Sequence, residues 1–133
     1  MSRRRRRIGT TTARENRKET EMALTRDFKD TIKARAERDP AFRRGLFQEA
    51  IEAFLNNDTE TGKLLLRDYV NATVGFEKLG AELDKSPKSL MRMLSSQGNP
   101  RADNLFAVVG HLRKQEGVAF TMRPESQPSN HVN

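Results

Sequence analysis

Between Phe42 and Leu55 the apolar positions are Phe42, Leu46, Phe47, Ala50, Ile51, Phe54 and Leu55. That three-to-four-residue recurrence is one face of a helix. The pattern predicts a helix that starts after Pro40 and ends at Asn56-Asn57. Upstream, residues 27–38 are polar and charge-laced, with Phe28, Ile32 and Ala36 spaced by four. This predicts an earlier helix, stopped at Asp39-Pro40 because the residue before proline avoids the helical region. Downstream, Asp58 or Thr59 is a suitable cap for a third helix, with Leu65, Leu66, Tyr69, Val70 and Thr73 on its apolar side. Gly62 inside that helix is expected to weaken it by about 1 kcal/mol relative to alanine.

Residues 76–94 change character. Phe76, Leu79, Gly80 and Leu83 form one face of a short helix, and Asp84-Lys85 makes a tight turn. Ser86 is a good N-cap, and Pro87 falls at the first helical position, where its missing N–H costs nothing. A second helix follows to about Ser96, with Leu90 and Leu94 turned inward. Two helices joined by a three-to-four-residue turn are a helix-turn-helix. Small Gly80 lets its two arms approach. Gly98-Asn99-Pro100 then signals a helix end and turn. A closing helix is expected over 101–115, with Leu105, Phe106, Val108, Val109 and Leu112 apolar and Gly117 as its stop. Alternation at Val118, Phe120 and Met122 predicts one short C-terminal strand. Such a strand has no ladder partner within its own chain and so suggests a dimer.

The expected fold class is therefore all-α: a small helical bundle containing a helix-turn-helix, a helical N-terminal extension over 24–73, and a bundle domain over 74–122. Residues 1–23 are expected to be a basic disordered arm and 123–133 a flexible tail rich in Pro, Ser and Asn.

Residues 76–117 resemble the Cro/repressor-type (XRE-like) helix-turn-helix domain. Ser-Leu-Met-Arg-Met-Leu at 89–94, Gly-Asn-Pro at 98–100 and Asn-Leu-Phe at 104–106 resemble the HigA-like antidote proteins of bacterial addiction modules. The similarity extends upstream to Leu24-Thr25-Arg26-Asp27-Phe28 and so covers roughly residues 24–122. Asp84 departs from the family, in which many such turns carry glycine; aspartate tolerates the left-handed conformation better than most residues. The extension over 24–73 is longer than a minimal repressor domain has. The resemblance implies a DNA-binding antitoxin and autorepressor, with double-stranded operator DNA and a small RelE/ParE-like toxin as partners.

In this motif the N-terminal turn of the second helix enters the major groove, and dimers commonly bind palindromic sites. Lys88, Ser89 and Arg92 face outward there. Arg92 has the geometry for a bidentate contact to guanine, and Lys88 suits guanine or phosphate. Ser86 and the N–H groups around it suit a phosphate. Gln97, Asn99, Arg101 and Asn104 are further candidates for the DNA backbone. Each of these residues also has a plain structural use, as cap, turn residue or solvated surface. Met91 and Met93 read as packing residues.

Charge modifies this picture in one place. Of the net +7, residues 1–23 carry +5, mostly in Arg3 to Arg7, and the remaining residues carry +2. Two readings of this arm stay open: a phosphate-binding arm, or a solvated tail ahead of a start at Met22. Residues 84–116 hold six basic and three acidic side chains, a modest phosphate footprint that a homodimer would double. Hydrophobic residues make up 35% of the 133, below the roughly 45–50% of an average domain. No apolar run is long enough to span a bilayer, and no apolar segment follows the arginines as a secretory signal requires. A cytoplasmic chain is expected.

The absence of cysteine excludes disulfide frameworks, thiol nucleophiles and zinc fingers. His111 and His131 stand apart from any nucleophile or acid, and no phosphate-binding loop, HExxH or nucleophile elbow is present. No enzyme, cofactor or metal site is expected. Two further readings compete: a protein-interaction module whose Phe42–Leu55 face docks a partner helix, and a nonspecific nucleic-acid binder working through Arg3–Arg7. For RNA the chain lacks stacking platforms, having no Trp and one Tyr.

Overall fold

A computed structural model describes residues 28–126. The arm at 1–23 and the last part of the expected tail, from 127 onward, lie outside the described residues. Among those described the chain is all-α, with six helices and no strand. They are α1 (28–38), α2 (Pro40–Leu55), α3 (Thr59–Ala72), α4 (Phe76–Leu83), α5 (Pro87–Met93) and α6 (Ala102–Glu116). No helix among the described residues is long and apolar enough to cross a membrane. Two compact units divide the chain, one ending at Pro100 and one beginning at Arg101.

The break between α1 and α2 is a single residue. Asp39 leaves the helical region (φ −130°, ψ 89°) and its carboxylate accepts the Phe42 N–H at 3.1 Å. The Asp-Pro pair thus ends one helix and caps the next. The Arg35 guanidinium lies 4.4 Å from the centre of the Phe42 ring, and Arg43 Nη1 donates to the Ala36 carbonyl at 3.0 Å, tying the two helices across the bend. Ala36 is buried, but Phe28 is 62% exposed. The four-residue spacing that linked them drifts by about 40° per step at 3.6 residues per turn, so Phe28 lies about 80° around the helix from Ala36.

The core of the first unit is the α2–α3 hairpin. Asn57 takes a left-handed conformation (φ 64°) and Asp58, not Thr59, caps α3 by accepting the Thr61 N–H at 3.3 Å. Phe47 and Tyr69 stack with ring centres 4.9 Å apart. Phe47, Ala50, Leu66 and Val70 are fully buried. Gly62 has a packing role that its propensity cost concealed: a Cβ there would sit 2.8 Å from the Phe54 ring. α1 lies along α3, where Lys29 and Ile32 share a small cleft with Asp68, Asn71 and Ala72. Burial pushes the Asp68 carboxyl above its ordinary value, partly offset by Arg67 and Lys29.

α4 and α5 complete the first unit. Gly75 (φ 81°) turns the chain into α4, and Asp84 ends it in the left-handed conformation (φ 57°, ψ 46°). α5 starts at the expected Pro87 with Ser86 as cap, but stops at Met93, short of Ser96. Gly80 is where the motif closes: a Cβ would meet the Lys85 carbonyl oxygen at 2.6 Å and the Pro87 ring at 3.3 Å.

In the second unit α6 covers the expected span, with Val108 and Leu112 fully buried and Phe106 67% exposed. Phe106 lies two residues from Val108, about 200° around the helix, so the five apolar positions do not make one face. Gly117 ends α6 in the left-handed region. The strand expected at Val118, Phe120 and Met122 does not form; residues 118–126 have no regular structure. The Val118 carbonyl instead accepts Arg113 Nη1 at 2.7 Å, folding the chain back on the helix end, and among the described residues no second strand is present to build a ladder.

Candidate nucleic-acid interface

The helix-turn-helix presents a polar face on a buried base. Leu79, Leu90 and Leu94 are fully buried, which fixes the rotation of α5 about its axis. Lys88, Ser89 and Arg92 consequently face solvent, with Met91 beside them 44% exposed. These three expected contact residues therefore share one surface, and Gln97 and Asn99 are exposed in the loop that follows.

Ser86 is also exposed, and its hydroxyl is engaged in the cap, accepting the Ser89 N–H at 3.3 Å. It therefore supports the helix end directly, and because it only accepts there, its O–H remains a donor that can reach a phosphate. Arg101 and Asn104 belong to the second unit, at the start of α6. There Asp103 engages both: its Oδ1 lies 3.4 Å from Arg101 Nε and accepts the Asn104 N–H at 2.8 Å. A carboxylate at that helix start satisfies the dipole from within the chain. This makes the α6 start a poorer phosphate site than the start of α5, which has no acidic residue in its first turn.

Two functional candidates escaped the reading of the sequence: Lys63 and Arg67 on α3. The Lys63 side chain is only 3% exposed, and its Nζ donates to the Gly98 carbonyl at 2.7 Å while pairing with Glu60 at 3.1 Å. Arg67 Nη1 donates to the Leu94 carbonyl at 3.2 Å. One turn of α3 thus supplies cations to carbonyls at the C-terminal end of α5 and in its following loop, where the helix dipole is negative. Beside them an open cleft of about 250 Å³ is lined by Glu60, Leu64, Arg67, Leu94 and Ser96 among others. The signal in the sequence was register: Lys63 stands three residues before Leu66 and seven before Val70, on the apolar face, where a charge requires a partner.

Gly98 is held from the other side. A Cβ there would lie 2.6 Å from the Met93 carbonyl oxygen and closer still to that of Arg92. Its N–H donates to the Ser95 carbonyl at 3.0 Å. Backbone therefore packs directly on the last turn of α5, and Gln97 and Asn99 flank that fixed point.

The face that was a candidate for docking a partner helix is largely used within the chain, since Phe47 and Ala50 are buried in the α2–α3 hairpin. Leu55 remains 62% exposed at its end. Among the described residues no group of three or more His, Asp or Glu side chains is placed to hold a metal ion. No protein-family model, curated protein or solved structure matches this chain.

Proposed function

We propose that the chain is a DNA-binding transcriptional regulator that reads a duplex operator with α5, as the antitoxin and autorepressor of a type II toxin–antitoxin module. One observation carries the DNA reading. A capped helix on a packed base projects Lys88, Ser89 and Arg92 from a single exposed face, with Leu90 and Leu94 buried beneath them. An exposed arginine and lysine one helical turn apart are the groups that read guanine edges and phosphates in a major groove. The toxin-neutralising half is supported by the resemblance of residues 24–122 to HigA-like antidote proteins. A homodimer on a palindromic site would supply the phosphate contacts that one modestly charged copy lacks.

The test is duplex binding across a salt series, with DNA from upstream of the chain's own gene and a scrambled duplex as probes. The chain is expected to prefer the upstream DNA, and Lys88→Ala/Arg92→Ala to lose that preference. Equal, strongly salt-dependent binding to both duplexes, removed by deleting residues 1–21, would replace this reading with phosphate neutralisation by the arm. Co-expression with a toxin encoded next to the gene tests the other half, growth rescue being the expected result.

A further inference from the structure

We infer that Lys63 is a positioning residue for groove readout: through the Gly98 carbonyl it sets the loop carrying Gln97 and Asn99 and, with Arg67, the end of α5. The inference rests on the DNA-binding reading and goes beyond it by giving the helical extension a task. Lys63 lies 35 residues before its acceptor, so the bond joins the extension to the helix-turn-helix rather than closing a local turn. Its side chain is buried and cannot itself reach a phosphate. Burying an ammonium group is costly unless it is paired and hydrogen-bonded, and both of its contacts are in place. Arg67, one turn further along α3, repeats the device on Leu94, the C-cap of α5. Gly98 cannot retreat toward α5, because its backbone already lies against the Arg92 and Met93 carbonyls. The loop is therefore clamped between the cation on one side and the helix end on the other.

A residue that positions readers without touching DNA has a distinctive signature. Removing a phosphate contact flattens the dependence of affinity on salt. Loosening the frame weakens discrimination and leaves that dependence alone. The experiment uses the 133-residue chain with Lys63→Met, an unbranched side chain that fills the same space without a donor, and measures binding to upstream and scrambled duplexes across salt. Circular dichroism establishes the folded fraction of each protein. The expected result is a fall of about tenfold in the preference for upstream DNA, on the scale of one lost base-pair match, with an unchanged salt slope. Lys88→Ala/Arg92→Ala is run alongside and lowers the slope. If Lys63→Met does not fold, Arg67→Leu, which removes the bond to Leu94 and the cation beside Asp68, takes its place with the same expected signature. A folded Lys63→Met or Arg67→Leu protein that discriminates as well as the parent overturns the inference and leaves the DNA reading standing. A parent protein with no preference for upstream DNA overturns both. Amide exchange over 94–99, faster in Lys63→Met, supports the clamp independently of any DNA; unchanged exchange there overturns it.

Discussion

Gly98→Ala is the substitution on which the geometry speaks most directly. The new Cβ would fall 2.6 Å from the Met93 carbonyl oxygen and closer to that of Arg92, and both obstacles are backbone rather than movable side chains. Relief requires the loop to move away from α5, straining backbone at a cost of about 1–3 kcal/mol. The same displacement disturbs the 2.7 Å bond from Lys63 to the Gly98 carbonyl. Glu60 remains as a partner for Lys63, so the loss of that charge-assisted bond is taken at the low end, about 1.5 kcal/mol. Together these give a destabilisation of about 3 kcal/mol, or a fall in Tm of at least roughly 10 °C for a domain of this size. Gly45→Ala is the control. It makes the same chemical change inside α2, where a Cβ would meet nothing within 4 Å. Helix propensity then favours the variant by about 0.5–1 kcal/mol. Thermal unfolding followed at 222 nm should show the two variants moving in opposite directions from the parent. A Gly98→Ala protein that melts within a degree or two of the parent would refute the close approach and the clamp built on it.

Two further substitutions separate structural from functional roles. Ser86→Ala should lower stability by about 1 kcal/mol through loss of the cap to Ser89, while Ser86→Asp, also a capping residue, should keep the stability and weaken DNA binding by placing a negative charge on the proposed interface; equal DNA affinity for parent and Ser86→Asp would remove that end of α5 from the interface. At Asp68, burial raises the folded-state pKa above the unfolded value near 3.8 despite Arg67 and Lys29. The contribution of this group is then most favourable below pH about 4 and is lost as pH rises through the folded pKa, so Asp68→Asn should melt higher than the parent at pH 7, with the gap closing toward pH 4; a gap that widens on acidification would refute the assignment.

The residues that act along one segment were readable from the sequence. Pro40, Asn56-Asn57, Ser86-Pro87 and Gly117 mark helix ends by local backbone chemistry, and the helices begin or stop within a residue or so of them. The stripe from Phe42 to Leu55 marked, by its period, the side of α2 that carries the buried Phe47 and Ala50, although Leu55 at its end is exposed. What lay outside a local reading were pairings across segments. Gly62 appeared as a weak helix position until the Phe54 ring was seen packed on it. Lys63 went unread: its register placed a charge on the apolar face of α3, but its acceptor is a backbone carbonyl 35 residues away, which no side chain in the sequence marks. The alternation at Val118, Phe120 and Met122 describes a strand correctly only if a neighbour exists, and Arg113 claims the Val118 carbonyl first. Ser86 was ambiguous because capping and phosphate binding call for the same hydroxyl; the 3.3 Å bond to Ser89 gives it at least the first role.

The shortness of α5 links these points. A helix leaves four N–H groups without intrahelical partners at one end and four carbonyls at the other. In a helix of seven residues those two sets take up most of the backbone, so few bonds within the helix hold it. Short helices are marginal in water for this reason. Pro87 removes one donor from the problem and Ser86 satisfies another. At the far end the Arg92 carbonyl accepts from Ser95, through both its backbone N–H at 3.1 Å and its hydroxyl at 2.8 Å, and Arg67 takes the Leu94 carbonyl. Lys63 then fixes the loop just beyond. A helix built this way depends on groups outside itself at both termini, and those beyond its C-terminus come partly from α3. α3 is accordingly part of what gives α5 its conformation, and a fragment starting at Gly75 would carry Lys88 and Arg92 on a helix without the anchors that Lys63 and Arg67 supply.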